Sequence, residues 1–217
     1  MRRELAPLEC RSRDNLLLIE TGVGVENVER RLHARLQGAG VGAVLGIGLA
    51  GSLSPVLKVS DLVLGQEVLG SSRLTPSPQL LSLAKEVRIE GTAIFPGTVL
   101  TVNDMVCTAK GKRRLASRVE QPIACVDMES WAVARFCTSL QIPFLIVRSI
   151  SDGFDEDLPL NFSRHRRADG NLDFVRIGAS ALIRPRSLGG LWRLGRRARL
   201  CTRHLAQFVE QMILKVL

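Results

Sequence analysis

Short apolar runs alternate with helical patterns along most of this chain of 217 residues. Residues 16–20 are a first apolar run and predict a strand, which the turn TGVG connects to a helix. That helix is indicated by apolar residues at helical spacing: Val25, Val28, Leu32 and Leu36. The next run, GAVLGIGLAGSL, predicts a buried strand whose glycine-rich end permits close backbone approach to a ligand.

The remaining pattern extends this alternation to the middle of the chain. It predicts strands over residues 61–68, 98–106, 123–126 and 143–149, and helices over residues 78–87, 110–119 and 129–140. The strands lack strong period-two polarity, which is typical of strands covered on both faces. We therefore expect an α/β fold in one domain, residues 1–217, with a mixed, mainly parallel central sheet flanked by helices and ligands bound at the carboxyl ends of strands.

The C-terminal part of the chain differs from the rest in polarity. Residues 152–173 are polar and predict a long surface loop. Residues 184–217 predict a basic amphipathic helix. Its apolar stripe consists of Leu191, Leu194, Ala198, Cys201, Leu205, Phe208, Val209 and Met212, whereas Arg193, Arg196, Arg197, Arg199 and Arg203 lie mostly off it.

The positive charge is concentrated in that same segment. The net charge is +9, and residues 178–217 hold eight Arg and Lys against one acidic residue, Glu210. This surplus fits nucleic acid, anionic lipid or a solvated surface. The chain has no Tyr and 4% aromatic residues, which leaves few platforms for base stacking, so nucleic-acid binding ranks last.

Cysteine usage and hydropathy narrow the class further. The five cysteines show no metal-ligand spacing, so we expect neither a metal site nor a disulfide framework, and their odd number favours a reducing cytoplasm. No apolar run reaches the roughly 18 residues of a membrane-spanning helix. We expect a cytoplasmic protein, with peripheral contact to the inner membrane through the basic helix as a further hypothesis.

Four motifs in order resemble the nucleoside phosphorylase and nucleosidase superfamily. They are Gly22-Val23-Gly24, the turn GLAGSL with the following LKVSD, VDMES at residues 126–130, and RSISD at residues 148–152. The resemblance covers about residues 15 to 155 and implies cleavage of the N-glycosidic bond of a purine nucleoside, adenine being the expected base. The segment after Asp152 is most similar to the hopanoid-associated branch, which implies an adenosylated lipid as substrate.

The resemblance also assigns roles to acidic residues just beyond strands. Asp152 is implied as the acid that protonates N7 of the leaving purine, a step that lowers the barrier to bond cleavage. Glu129 is implied to accept hydrogen bonds from the ribose 2′ and 3′ hydroxyls, for which a carboxylate is suited because it offers only acceptors. The alternatives are a helix cap for Asp152 and a first-turn carboxylate favoured by the helix dipole for Glu129.

The same resemblance implies a set of substrate-binding residues. Met128 is expected to pack against the sugar, and Ala50 and Gly51 to line the cleft by backbone approach. Met105, Val106 and Cys107 are expected to hold the base, ordinary core packing being the alternative for these three. Arg148 ends an apolar strand, where a guanidinium needs a partner, and is expected to hold the acidic cluster in position rather than to bind phosphate.

The resemblance leaves two nucleophiles open, phosphate and water. Phosphate is the expected co-substrate, with Arg3 and Gly24 as candidate contacts and no cofactor or metal; hydrolysis of the methylthioadenosine type is the alternative. Leu49 occupies a position where many relatives carry a hydroxyl, and the first strand of the family is not recognisable in MRRELAPL. A catalytically impaired, membrane-docking homologue is therefore a competing hypothesis. The superfamily also implies a homo-oligomer.

Overall fold

The structure of the protein is a computed structural model that describes residues 16–36, 38–159 and 185–216. The helices in these ranges are α1 (Val25–Leu36), α2 (Pro78–Lys85), α3 (Ala109–Ala116), α4 (Ser130–Ser139) and α5 (Pro185–Val216). The strands are β1 (Val44–Ser52), β2 (Leu62–Leu69), β3 (Arg73–Leu74), β4 (Ile94–Thr101), β5 (Ala124–Asp127) and β6 (Phe144–Asp152). None of the described helices is long and apolar enough to cross a membrane.

Five of the strands form a ring. The order is β2, β4, β5, β1 and β6, and β6 pairs again with β2, while β3 adds to the outer side of β2. The pairings β1 with β6, β2 with β4 and β4 with β5 are parallel, whereas β1 with β5 and β2 with β6 are antiparallel. The expected mixed sheet of an α/β domain is confirmed, and the sheet closes on itself.

Helices cover the ring and complete its core. The apolar side of α1 packs with α4 against one group of strands, in a cluster that includes Val28, Val133 and Ile146. The apolar stripe of α5 packs with α2 against another, through Leu205, Phe208 and Met212. The apolar stripe of the last helix is buried from Cys201 to Met212 and half-buried before it, while the described arginines of the helix lie mostly outside.

The structure corrects one strand of the prediction. Residues 16–20 form no strand, and within their described part they approach α1 as irregular backbone. An apolar run becomes a strand only when it hydrogen-bonds to a neighbouring strand, and within the described residues this segment has no such partner. The expected missing first strand, Arg3, and most of the polar loop lie outside the described residues.

Candidate active site

The carboxyl ends of four strands meet at one place. Gly51 near the end of β1 pairs with Val126 of β5 on one side and with Asp152 of β6 on the other. On the far side of β5, the last residue of β4, Thr101, pairs with Asp127. The segments that follow these strands carry the acidic residues singled out by the sequence, so the fold places them at a common edge of the ring.

Asp152 ends β6 and is buried, with only 5% of its surface exposed. Its Oδ1 accepts a hydrogen bond from Ser151 Oγ at 2.6 Å, while its Oδ2 lies against the Lys112 ammonium and accepts no well-directed hydrogen bond. A carboxyl group offers about four acceptor positions, so Asp152 keeps capacity for a ligand. No helix follows it within the described residues, so the helix-cap alternative does not apply.

Gly51 allows this carboxyl group to approach the backbone of β1. A Cβ atom at position 51 would lie 3.1 Å from Asp152 Oδ2 and 3.5 Å from a methyl group of Val126. The glycine motif that the sequence singled out therefore makes room for the candidate acid. The neighbouring Ala50 is buried, and its carbonyl accepts a hydrogen bond from Ser151 Oγ at 3.2 Å.

Asp127, two residues before Glu129, is saturated by protein groups. Its oxygens accept hydrogen bonds from Thr101 Oγ1 at 2.8 Å and from Ser130 Oγ at 2.5 Å. Arg148 Nη2 lies 2.7 Å from Asp127 Oδ2, and Arg148 Nε donates to Ser130 Oγ at 2.9 Å. Arg148 therefore holds the acidic segment in place, as the sequence predicted.

Gly48 makes the position of Arg148 possible. The two residues are paired across β1 and β6, and a Cβ atom at position 48 would lie 1.8 Å from Arg148 Nη1. A side chain there would displace the guanidinium from its partners. Gly48, the third glycine of the segment GAVLGIGLAGSL, thus makes room for the buried ion pair of Arg148 with Asp127.

Glu129 precedes α4, but its side chain does not cap that helix. Its Oε1 instead accepts a hydrogen bond from the backbone N–H of Gly24 at 2.9 Å, so the first glycine turn is held beside it. Gly24 has φ of +92°, a conformation that favours glycine. The first-turn interpretation of Glu129 therefore misses its main contact.

Two effects raise the pKa of Glu129 above its usual range. Burial is the larger cause, and the negative charge of Asp127 adds to it. The Arg148 guanidinium and the backbone N–H of Gly24 oppose this shift without cancelling it. A mostly buried carboxyl group with a raised pKa beside a turn is typical of a functional site. Because the Gly24 N–H is engaged by Glu129, the phosphate contact expected of Gly24 stays a prediction.

The expected base-binding residues divide between two environments. Val106 packs against the core cluster of Leu53 and Val126. Met105 and Cys107 are half-buried and pack with an apolar group from the turn after β6 and from α5, namely Leu158, Leu191 and Leu194. Met128 is buried between Asp127 and Glu129. All these residues lie next to the strand ends, and whether they contact a base stays a prediction.

Sequence reasoning missed two features near this edge. Lys112 was not singled out within the helix predicted over residues 110–119, yet it is fully buried against Asp152. Ser60 in the motif LKVSD has φ of +76° and is therefore held in the left-handed region. Nothing in AKGKRRLA distinguishes Lys112 from its neighbours. Leu49 packs into the core beside α5.

The comparison with protein families agrees with this arrangement. Residues 9–182 match the family described as the phosphorylase superfamily. The match covers most of the chain and includes every strand of the ring. The chain belongs to the phosphorylase superfamily.

Individual relatives and solved structures that are similar to this chain are nucleosidases and a hydrolase. A 5′-methylthioadenosine/S-adenosylhomocysteine nucleosidase of Haemophilus ducreyi is 26% identical over 170 residues, which are 66% of this chain and 73% of the relative. The Neisseria meningitidis nucleosidase of the same name, solved with methylthio-immucillin-A, has a TM-score of 0.70 at 18% identity, covering 100% and 96% of the two chains. Futalosine hydrolase of Helicobacter pylori has a TM-score of 0.72 at 21% identity, covering 100% and 95%. These two structures establish the likeness in fold.

Proposed function

We propose that this chain hydrolyses the N-glycosidic bond of a purine nucleoside. The observation that carries the proposal is a buried carboxyl group, Asp152, which lies where four strands end and keeps unused hydrogen-bonding capacity. The relatives named above support water as the nucleophile, since they are nucleosidases and a hydrolase. Hydrolysis therefore replaces the phosphorolysis that we expected first from the sequence.

The surroundings of Asp152 and Glu129 support the roles that the resemblance implies for them. Asp152 gives its proton to N7 of the purine as the bond between C1′ and N9 breaks, and the electron pair of that bond passes to the base. Water then adds to C1′ of the sugar and loses a proton, which restores the acid form of Asp152. Glu129, with one oxygen bonded to Gly24, has acceptor positions left for the ribose hydroxyls.

A base-release assay tests this proposal. The purified chain is incubated with adenosine, inosine, methylthioadenosine and a 5′-alkyl adenosine, with and without phosphate, and free base is measured by chromatography. We expect release without phosphate that falls by about 10²–10⁴-fold in Asp152→Asn, the range typical of a lost general acid. Asp155→Asn, an exposed carboxylate in the following turn, is the matched control and keeps full activity.

Three other outcomes are informative. Release that requires phosphate would make the chain a phosphorylase. Equal release by the Asp152→Asn variant would remove Asp152 from the mechanism. Absence of release from every nucleoside would support the competing hypothesis of a catalytically impaired homologue.

The outward face of α5 supports a second candidate function, docking to an anionic membrane surface. Trp192 is 64% exposed, and the Arg196 guanidinium lies 4.9 Å from the centre of its ring. Arg199, Leu200 and Arg203 are exposed on the same side of the helix. An exposed tryptophan among arginines is typical of helices that lie at a lipid interface. A lipid-linked nucleoside, the substrate first suggested by the sequence, would be reached from such a position.

Vesicle binding distinguishes this surface from general positive charge. We expect the partition onto phosphatidylglycerol vesicles at low salt to fall about tenfold or more when three arginines of the face become glutamine, because each contributes on the order of 1 kcal/mol at such a surface. The variants compared are R196Q/R199Q/R203Q and a control of equal charge on other exposed arginines, R35Q/R114Q/R118Q. Equal loss in both, or preferential binding of an oligonucleotide, would contradict membrane docking.

A further inference from the structure

Lys112 is fully buried although it lies in α3, a helix that is otherwise largely basic and exposed. Its ammonium donates to the carbonyl oxygens of Gly153 at 2.7 Å and Glu156 at 2.9 Å, and it lies against Asp152 Oδ2. Two of its three N–H donors therefore have carbonyl acceptors, and the ammonium is paired by charge with Asp152. All three partners belong to the turn that begins at the candidate acid.

Other contacts already fasten this turn to its surroundings. On the side of α3, Arg113 pairs with Asp155 at 2.7 Å and the N–H of Ala109 donates to Asp157 at 2.7 Å. On the side of α5, Arg197 lies 2.6 Å from Glu156. Although burial opposes ionisation, this arginine and the Gly153 N–H hold the pKa of Glu156 below its usual range. The turn is thus anchored without Lys112.

What Lys112 adds is a positive charge next to the carboxyl group of Asp152. An ammonium with 0% exposure is costly to bury unless it is paired, so its position needs a reason beyond anchoring. The ammonium lies against Oδ2 and Ser151 Oγ donates to Oδ1, so the two contacts together fix the orientation of the carboxyl group, and Oδ1 keeps a second acceptor position for a ligand.

We propose that Lys112 is a positioning residue for the acid, fixing the orientation of the Asp152 carboxyl group. This inference rests on the proposed function, since it assigns Asp152 to protonation of the leaving base. In that step the O–H bond of Asp152 and the C1′–N9 bond break, and the N7–H bond forms. Lys112 itself exchanges no proton with the substrate.

A pair of substrates tests whether Lys112 acts through the acid. A purine nucleoside needs protonation of its leaving group, whereas 4-nitrophenyl riboside does not, because 4-nitrophenolate leaves as a stable anion. We expect Lys112→Met to lower kcat for the purine nucleoside at least tenfold with KM changed less than threefold. Turnover of 4-nitrophenyl riboside should change less than threefold. Lys110→Met, an exposed neighbour in the same helix, should match the wild type on both substrates.

Two further variants sharpen the test. The double variant K112M/D152N should be no slower than D152N alone, because a residue that acts through the acid has nothing to act on once the acid is removed. Lys112→Arg keeps the charge but spreads it over a planar fork, so it should recover part of the lost kcat. If Lys112→Met does not fold, as judged by its melting curve, the Lys112→Arg variant carries the same comparison of substrates, with a smaller loss confined to the purine nucleoside.

The outcomes separate this inference from the proposed function. An equal loss on both substrates, or an additive loss in the double variant, would make Lys112 a structural brace and overturn the inference while leaving the proposed function intact. Wild-type kcat in Lys112→Met would do the same. A wild-type chain that releases base from no nucleoside would overturn the proposed function and the inference together.

Discussion

Two buried ion pairs among the described residues, Arg148 with Asp127 and Lys112 with Asp152, lie at the same edge of the ring. They differ in how many hydrogen bonds the aspartate accepts from protein groups. Asp127 accepts bonds from Thr101, from the N–H and hydroxyl groups of Ser130, and from Arg148. Asp152 accepts one bond, from Ser151, beside the Lys112 ammonium. The first pair has little capacity left for a ligand, whereas the second retains it. Two aspartates at the ends of apolar strands thus differ in function: Asp127 is structural, and Asp152 is proposed to be the acid.

The largest expected effect comes from breaking the saturated pair. Asp127→Asn leaves the Arg148 guanidinium buried without its counter-charge, and we expect the free energy of unfolding to fall by about 3–5 kcal/mol. Asp152→Asn should cost less than half as much, because the Lys112 ammonium keeps two carbonyl partners. Urea unfolding of the two variants measures both values. Equal losses would contradict the contrast between the pairs.

The second prediction displaces Arg148 without changing any charge. Gly48→Ala places a Cβ atom at the guanidinium, so we expect a loss of about 1–3 kcal/mol from overpacking a filled core site. Gly195→Ala is the matched control, since nothing lies within 4 Å of its Cβ position in α5, and there alanine should stabilise by about 1 kcal/mol. A neutral Gly48→Ala would show that Arg148 can relocate.

The third prediction concerns the cost of holding Glu129 ready for a substrate. Its pKa is raised from the ordinary 4.5, so the folded state favours the neutral form. The stabilisation that protonation of Glu129 gives the fold is complete below pH 4.5. It is lost as the pH rises through the raised pKa. Glu129→Gln should therefore melt a few degrees higher than the wild type at pH 8, about 1 kcal/mol being worth roughly 2–4 °C in a domain of this size. The difference should shrink towards pH 4.

The control for Glu129→Gln is functional. The variant should bind nucleoside more weakly, seen as a raised KM, because an amide replaces two acceptors with one acceptor and a donor. A variant that is less stable than the wild type at pH 8 would show that the Glu129 carboxylate is not strained by its burial.

The smallest expected effect lies outside both pairs, at Ser60. Its positive φ costs roughly 1–2 kcal/mol relative to glycine, and the greater freedom of glycine in the unfolded chain offsets about half of that. Ser60→Gly should thus stabilise by about 0.5–1 kcal/mol in thermal unfolding. Ser54→Gly, a buried serine outside the positive-φ set, should destabilise instead. Destabilisation by Ser60→Gly would mean that the serine side chain compensates for its strain.

Much of this architecture is predictable from local patterns, because periodic apolar residues and glycine turns decide it. Helices α1 and α4 and strands β1, β5 and β6 were expected at nearly their observed positions. The closure of the ring was not expected from the sequence, because the pairing of Leu62 with Ser149 joins residues that no local pattern connects. Residues 16–20 were misassigned for a similar reason: an apolar run becomes a strand only where it pairs with another strand, and local pattern does not show whether it finds one.

The site divides in the same way. Asp152 and Glu129 stand out because they follow apolar strands in recognisable motifs, and Arg148 because a cation at the end of such a strand needs a partner. Lys112 gave no signal, because burial of one lysine among AKGKRRLA depends on a turn more than forty residues later. Long-range contacts of this kind are where pattern reasoning ends.

The closed ring also determines when the protein can fold during its synthesis. Strand β6 completes the ring by pairing with β1 and β2, and it carries both Arg148 and Asp152. A ribosome must therefore have made the chain beyond residue 152 before the ring can close and the two ion pairs can form. Pairing between strands so far apart in the chain is intrinsically slow, which lengthens the time that unpaired edges are exposed during synthesis. Assembly of the fold and assembly of the acid's surroundings are one late event.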